Sequence, residues 1–254
     1  PDGTPLAILA NYSLHYVGDT EAAVLSADYY GFFADKLAAL MAPAASGKPF
    51  LAMMSNGTSG NINNVNFGEA GVAGPPYSRM SAVAESVANE VFQRYQQLEF
   101  QDTAVLASAM REITLGVRKP AGEDLERARA IVAAAEGPDM KTSEEVFARE
   151  SILLADFPDA VPVPLQALRI GELGIAAIPC EVFVEIGLAL RNESPFKNTF
   201  TIELANGYNG YLPTAEHHAL GGYETWRARS SYLEVAAAEK IQETMQALLA
   251  QVKS

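Results

Sequence analysis

The chain has 254 residues, 49% of them hydrophobic and 19% charged, which is enough apolar material for a buried core. Its single cysteine, Cys180, excludes a disulfide within the chain. The 31 acidic and 18 basic residues give a formal charge of −13, which disfavours binding to nucleic acid and to anionic lipid because both are negatively charged.

The first quarter of the chain predicts two strands on either side of a helix. The apolar run 6–10 is typical of a buried strand, and His15 follows just beyond its end. Residues 26–43 predict a helix that stops at Pro43. Residues 48–55 predict the next strand, which leads into the polar loop "SNGTSGNINN". Because Asn and Gly readily adopt positive φ, this loop is expected to be a turn, a site or both.

The middle of the chain predicts a Gly/Pro-rich loop followed by a helix, a strand and two more helices. The loop covers 68–77, and the apolar spacing of 78–98 is that of an amphipathic helix. Residues 103–118 alternate in polarity, which is typical of a strand and suits the edge of a sheet. Residues 121–136 and 143–157 predict a charged pair of surface helices.

The last part of the chain returns to the same alternation. Residues 161–183 predict two strands joined by the turn "GELG", and 181–194 predict a helix that starts where the second strand stops. A strand beginning at Asn198 leads into the loop "NGYNGY", and 231–252 predict a long final helix. Alternating strands and helices indicate an α/β fold, which we expect to be one domain spanning 1–254.

Polar residues follow several of the predicted strands. His15, Tyr208 and Tyr211 lie just past strand ends, and Glu181 lies at a strand-to-helix junction. In α/β folds, sites gather outside the carboxyl ends of strands, so we expect these residues to converge. An imidazole with a carboxylate suits a zinc ion that keeps an open position for water. A tyrosine serves there as a weaker oxygen ligand or as a donor to an oxyanion.

Each of these features also has an ordinary structural interpretation. Glu181 is favoured at a helix start by the helix dipole alone, and "NGYNGY" is typical of a turn. The amides of "GTSGN" suit a phosphate, but the loop lacks the lysine and the spacing of a P-loop. His217 and His218 are predicted to be exposed helix residues rather than metal ligands.

Four stretches taken together resemble one protein family. In chain order they are "NYSLHYVG", "SNGTSGNINN", "IPCEVFVEIG" and "NGYNGYLPTAEHHALGGYE", and they resemble the neutral/alkaline non-lysosomal ceramidase superfamily. The resemblance implies the fold of that family's zinc hydrolase domain. This is a layered α-β-β-α sandwich of mixed sheets with flanking helices, whose N-terminal part would precede this chain.

The resemblance also implies roles for individual residues. His15, Glu181 and Tyr211 match zinc ligands of the family, and a further ligand is expected from an upstream segment. Tyr223, in "GGYE", matches the tyrosine that faces the scissile carbonyl, where its hydroxyl would stabilise the oxyanion. Asn63 stands where the family has a serine close to the zinc-bound water.

The asparagine at position 63 bears on the mechanism. An asparagine is no nucleophile, which argues against a serine-acyl intermediate but leaves a metal-activated water intact. Its amide suits the orientation of water or substrate. We expect the neighbouring Ser59, Gly60 and Asn61, together with Tyr208, to contact the substrate.

The predicted function is zinc-dependent hydrolysis of an amide bond, as in a ceramide-like N-acyl compound, or of an ester. A hydrolase of another polar substrate that uses the same metal pocket, or an inactive lipid- or sugar-binding relative, is the alternative. The expected partner is a small-molecule or lipid-like substrate, with no nucleic acid. No apolar run approaches the roughly 18 residues that span a membrane. The resemblance implies a secreted or periplasmic location.

Overall fold

The computed structural model describes residues 3–68 and 74–254, so positions 69–73 of the predicted loop 68–77 lie outside the described residues. Helices and strands alternate along the chain, and the predicted α/β class is confirmed. The elements are β1 (Ala7–Tyr12), α1 (Asp28–Ala45), β2 (Leu51–Asn56), α2 (Ser78–Tyr95), β3 (Leu106–Gly116), α3 (Glu123–Ala134), α4 (Ser143–Ala155), β4 (Ala160–Ile170), β5 (Leu173–Ile178), β6 (Glu181–Val182), α5 (Val184–Glu193), β7 (Asn198–Glu203), β8 (Tyr211–Leu212), α6 (Ala215–Leu220) and α7 (Ala237–Lys253).

The described residues group into two compact units. Unit 1 comprises those within Pro1–Gly57 and Ile62–Ala104, and unit 2 comprises Thr58–Asn61 and Val105–Ser254. The tetrapeptide Thr58–Asn61 therefore packs with a part of the chain that follows it by more than forty residues. That the whole of 1–254 forms one domain stays a prediction.

Unit 1 is built on the parallel pair β1–β2, which is in register from Ala7 opposite Leu51 to Tyr12 opposite Asn56. Helix α1 packs against α2 and β2. Its buried apolar residues recur every four positions, which places them on one face of the helix. They are Tyr29, Phe33, Leu37, Met41 and Ala45.

Unit 2 is built on a four-stranded mixed sheet in the order β3-β4-β5-β7. The first two pairings are antiparallel, and β5–β7 is parallel with α5 in the connection between them. Strand β3 lies at one edge of this sheet, as its alternating polarity predicts. Helix α7 covers β3, β4 and β5 with an apolar face that includes Ile241, Met245 and Leu248. This layer forms the core of unit 2.

Three predicted boundaries are wrong. Pro43 lies inside α1 rather than beyond it, in the last turn, where the loss of one backbone donor breaks few hydrogen bonds. The final helix begins at Ala237 and not at 231, because 231–236 run beside the end of β3: Arg118 N donates to Tyr232 O at 2.7 Å and Glu234 N to Gly116 O at 2.8 Å. Residues 181 and 182 form β6 instead of the first turn of α5.

Across the two described ranges of the chain, no helix is both long enough and apolar enough to cross a membrane.

The burial of side chains in unit 2 predicts that truncating two leucines of the same sheet will lower the free energy of unfolding by very different amounts. Leu165 on β4 is fully buried, whereas Leu106 on β3 is 73% exposed. Leu165→Ala should lower the free energy of unfolding by about 2–5 kcal/mol, because it removes buried methyl groups and leaves a cavity. Leu106→Ala is the matched control and should change it by less than about 1 kcal/mol. Urea denaturation followed by circular dichroism measures both values, and equal losses would contradict the sheet placement.

Candidate active site

The short parallel pair β6–β8 places Glu181 opposite Tyr211 and Val182 opposite Leu212. Backbone hydrogen bonds flank the pair, from Glu181 N to Gly210 O at 2.9 Å and from Phe183 N to Leu212 O at 3.4 Å. Side chains at paired positions of neighbouring strands lie on the same face. Two of the predicted metal ligands, thirty residues apart in sequence, are thus brought side by side.

Two tyrosines hydrogen-bond the Glu181 carboxylate, and a third contacts one of them. Tyr208 Oη donates to Glu181 Oε1 at 3.0 Å. Tyr211 hydrogen-bonds Glu181 as well, and its hydroxyl oxygen lies 3.4 Å from that of Tyr223. The rings of Tyr211 and Tyr223 meet edge to face, with centroids 5.7 Å apart. Four residues singled out from the sequence for site roles therefore form one cluster in unit 2.

Burial and the neighbouring carboxylate keep two of these phenols protonated. The pKa of Tyr208 is raised by burial, by the charge of Glu181 and by the hydrogen bond to it. The pKa of Tyr211 is also raised, by burial first and then by the hydrogen bond to Tyr223 and the charge of Glu181. Both hydroxyls are hydrogen-bond donors at neutral pH, and neither is a source of negative charge.

The segment that carries Tyr223 is held by one arginine. Arg118, two residues past β3, donates from Nη1 to Thr225 O at 2.8 Å and from Nε to Leu233 O at 2.7 Å. Its Nη2 donates to both the carbonyl and the hydroxyl oxygen of Ser231, at 2.8 and 2.9 Å. Burial lowers the pKa of Arg118 to about 10, so it remains charged. This residue was missed from sequence, because only the fold brings these acceptors to it.

The tetrapeptide Thr58–Asn61 docks along β6 and the start of α5. Gly60 N donates to Val182 O at 2.9 Å. Asn61 Oδ1 accepts from Val184 N at 2.8 Å, and its Nδ2 donates to Glu185 Oε2 at 2.9 Å. The loop after β2 is therefore neither a phosphate cradle nor a free turn at these positions, but a piece of backbone fixed beside Glu181.

Ser59 points into the interior of unit 2. It is 1% exposed, its backbone N donates to Glu203 Oε2 at 3.0 Å, and its hydroxyl makes a short hydrogen bond to Glu203 Oε1. This geometry favours a structural role for Ser59 over the predicted contact with substrate. Gly60 is buried and Asn61 is partly buried, and their substrate contacts stay predictions.

Glu203 is a site residue that sequence reasoning missed. It ends β7, is 3% exposed, and accepts hydrogen bonds from Ser59 and from Val182 N, the latter at 2.7 Å. Burial raises the pKa of Glu203 to about 7 despite these hydrogen bonds. The sequence feature that could have indicated Glu203 is its position as the last residue, and the only charged one, of the predicted strand "NTFTIE".

His15 and Asn63 belong to unit 1. Hydrogen bonds hold the backbone around His15 on both sides: Tyr29 Oη donates to Leu14 O at 2.8 Å, and His15 N donates to Ile62 O at 3.0 Å. His15 itself is partly buried and Asn63 is exposed.

The predicted zinc ligands are thus divided between the units. Glu181 and Tyr211 lie together in unit 2, and their carboxylate and phenol oxygens suit a divalent cation chemically. His15 lies in unit 1, so the three-residue ligand set stays a prediction. Within residues 3–68 and 74–254, no group of three His, Cys, Asp or Glu side chains is placed to hold a metal ion.

The histidines of α6 are less exposed than predicted. His217 Nδ1 lies 2.7 Å from Thr214 Oγ1, and its ring packs edge to face on Phe183. His218 is partly buried, and burial together with the charge of Arg118 lowers its pKa to about 4. Both histidines are therefore partly buried within unit 2 rather than fully exposed.

Comparison with solved structures finds proteins of the same fold. The structure of neutral ceramidase from Pseudomonas aeruginosa matches with a TM-score of 0.61 at 18% identity, over 97% of this chain and 44% of that one. A ceramidase complexed with C2 matches with a TM-score of 0.62 at 15% identity, over 97% of this chain and 45% of that one. This chain therefore spans less than half the length of either protein, and at these identities the likeness establishes the fold alone.

Comparisons by sequence identify no relative of this chain. No protein-family model matches the chain, and no curated protein matches it significantly. The ceramidase-like fold expected from the four sequence stretches is supported by structure, while their site roles stay predictions.

The low pKa of His218 predicts an acid-sensitive contribution to stability. The histidine is neutral in the folded chain down to about pH 4, whereas in the unfolded chain it takes up a proton near pH 6.5. Its contribution to the free energy of unfolding should be fully present above pH 6.5 and be lost as the pH falls toward 4. His218→Gln should flatten this part of the stability–pH profile, measured by urea denaturation from pH 7.5 to 4. His217→Gln is the neighbouring comparison, and an unchanged slope in His218→Gln would contradict the assignment.

The close approach of the tetrapeptide to β6 predicts that position 60 requires glycine. A Cβ there would lie 2.6 Å from Glu181 O and 2.9 Å from Phe183 Cδ1. Gly60→Ala should lower the free energy of unfolding by about 1–3 kcal/mol, because the backbone of β6 must shift to relieve the clash. Gly116→Ala is the control, since its Cβ would meet Glu234 only at 3.5 Å. Chemical denaturation measures both variants, and equal stability would contradict the packing described above.

Proposed function

We propose that this chain is part of a hydrolase that cleaves an amide bond of an N-acyl compound, or an ester, with Glu181, Tyr211 and Tyr223 at the reacting centre. The observation that carries the proposal is the cluster of one carboxylate and three tyrosine hydroxyls at β6–β8, within a ceramidase-like fold. The named neutral ceramidases share only the fold with this chain, so ceramide itself is one candidate substrate among N-acyl compounds.

The tyrosines supply donors for a carbonyl oxygen that becomes negative. Tyr223 is 47% exposed, so its hydroxyl is accessible to a bound substrate, and Tyr211 Oη lies 3.4 Å behind it. Tyr211 hydrogen-bonds the Glu181 carboxylate, which accepts from the Tyr211 hydroxyl, so Tyr223 is the hydroxyl of this pair that is proposed to donate to the substrate. Preorganised donors of this kind stabilise a tetrahedral oxyanion more than the planar carbonyl.

Glu181 and Tyr211, completed by His15, are the residues proposed to hold zinc. When bound, zinc supplies Lewis acidity that activates water as a nucleophile. Tyr208 orients the carboxylate of Glu181 through its 3.0 Å hydrogen bond, as outer partners of metal ligands commonly do. Asn63 is exposed and is proposed to orient water or substrate, since an amide cannot form an acyl intermediate.

Two further parts of the proposal rest on the resemblance alone. They are a location outside the cytoplasm and a lipid-like substrate. The net charge of −13 is a separate observation, and it disfavours binding to an anionic membrane surface and to nucleic acid.

Metal content and activity, measured together, test the proposal. The chain as purified should contain about one zinc per molecule by elemental analysis. It should also hydrolyse at least one member of a panel of N-acyl amides and carboxylic esters. His15→Ala and Glu181→Gln should each lose the metal and the activity together, whereas Glu216→Gln on the exposed start of α6 should lose neither. A wild-type chain that lacks zinc, or full activity in His15→Ala, would overturn the mechanism.

Tyr223→Phe separates catalysis from metal binding. It should retain zinc, because Tyr223 is not a proposed ligand, and should lower kcat by roughly 10²–10³-fold with little change in KM. Tyr95→Phe on α2 is the control and should leave both constants unchanged. A chain that binds zinc but hydrolyses neither amides nor esters would instead support an inactive binding relative. The observation that favours this alternative is the asparagine at position 63, where the family has a serine.

A further inference from the structure

The strand that carries Glu181 is too short to fix its own position. β6 has two residues, and a shift of its pairing with β8 by one residue would turn the Glu181 side chain to the opposite face. Longer strands prevent such slips with many ladder hydrogen bonds and a buried face. Something else must therefore hold β6 in register.

The Glu203 carboxylate lies beside β6 and hydrogen-bonds its second residue, Val182. Its Oε2 accepts from Val182 N at 2.7 Å and from Ser59 N at 3.0 Å, and its Oε1 accepts from the Ser59 hydroxyl. Val182 is the residue after Glu181, and Ser59 belongs to the tetrapeptide whose next residue, Gly60, donates to Val182 O. Both backbone polar groups of Val182 are thus tied, one to Glu203 and the other to Gly60.

A carboxylate is a costly group to place there. Glu203 is 3% exposed, and this burial disfavours its charged form and raises its pKa to about 7 despite the hydrogen bonds that it accepts. An apolar residue would fill the same space without this cost but would leave two backbone N–H groups unpaired. The arrangement therefore serves the placement of β6 rather than the packing of the core.

We propose that Glu203 is a positioning residue that, through the N–H groups of Val182 and Ser59, holds Glu181 in the orientation that the metal site requires. The metal part of this inference rests on the proposed function, whereas the placement of β6 does not. Neither Glu203 nor Ser59 contacts substrate in this scheme.

Two substitutions at position 203 separate hydrogen bonding from packing. Glu203→Leu keeps most of the volume and removes both acceptors. Glu203→Gln keeps one oxygen that can accept both N–H groups, while its amide can donate to the Ser59 hydroxyl. Ser59→Ala is a milder third variant. Thr199→Val, earlier on β7, removes a buried hydroxyl that donates to Ser194 Oγ at 2.6 Å and serves as the matched control.

The readouts are amide hydrogen exchange at Val182 without metal and the dissociation constant for zinc alone, measured against a competing chelator. Glu203→Leu should speed exchange at Val182 at least tenfold and weaken zinc binding about tenfold. Glu203→Gln should restore both to within about threefold of the wild type, and Thr199→Val should change neither. If Glu203→Leu does not fold, Ser59→Ala carries the test, with an expected loss of about threefold in each readout.

The outcomes distinguish this inference from the proposed function. Unchanged exchange at Val182 in Glu203→Leu or Ser59→Ala would overturn the inference outright. Faster exchange with unchanged zinc affinity would overturn the positioning role and leave Glu203 as a structural residue only. A wild-type chain that binds no zinc would reject the proposed function and the metal part of the inference, while the exchange rates would still decide whether Glu203 holds β6.

Discussion

The pairing of two dipeptides, Glu181–Val182 and Tyr211–Leu212, is the constraint on which the candidate site depends. It is the contact that sets a carboxylate beside a phenol across thirty residues of sequence. Because four residues cannot stabilise a sheet by themselves, the pair relies on its surroundings. These are the tetrapeptide at 58–61 on one side, the buried acid at the end of β7, and the segment fastened by Arg118 on the other side.

The larger elements were predictable because their sequences carry a strong period. Helix α1 has its buried apolar residues at every fourth position, and the helix was predicted to within three residues at each end. The edge position of β3 followed from its alternation of polar and apolar side chains. In both cases local sequence and tertiary packing favour the same structure, which is the condition under which such predictions succeed.

The site was predictable only in part. The positions of Glu181, Tyr208 and Tyr211 at strand ends indicated a common location, and the family resemblance added Tyr223. The structure places the four together. The roles of Glu203 and Arg118 were not predictable, since each acts through hydrogen bonds to backbone groups that are distant in sequence. A two-residue strand has no period to detect, which is also why β6 was predicted as the beginning of a helix. The loop at 55–64 looked like one feature, but its central four residues pack in unit 2 while its flanks belong to unit 1.

The Arg118 fastening has a consequence for which sequences this fold can tolerate. Its guanidinium satisfies four oxygen acceptors from a single planar group. A lysine in the same place would preserve the charge but has only three N–H donors, all on one nitrogen, so at least one of the four acceptors would lose its hydrogen bond. Proteins that share this arrangement should therefore keep arginine at this one position, even where no substrate comes near it.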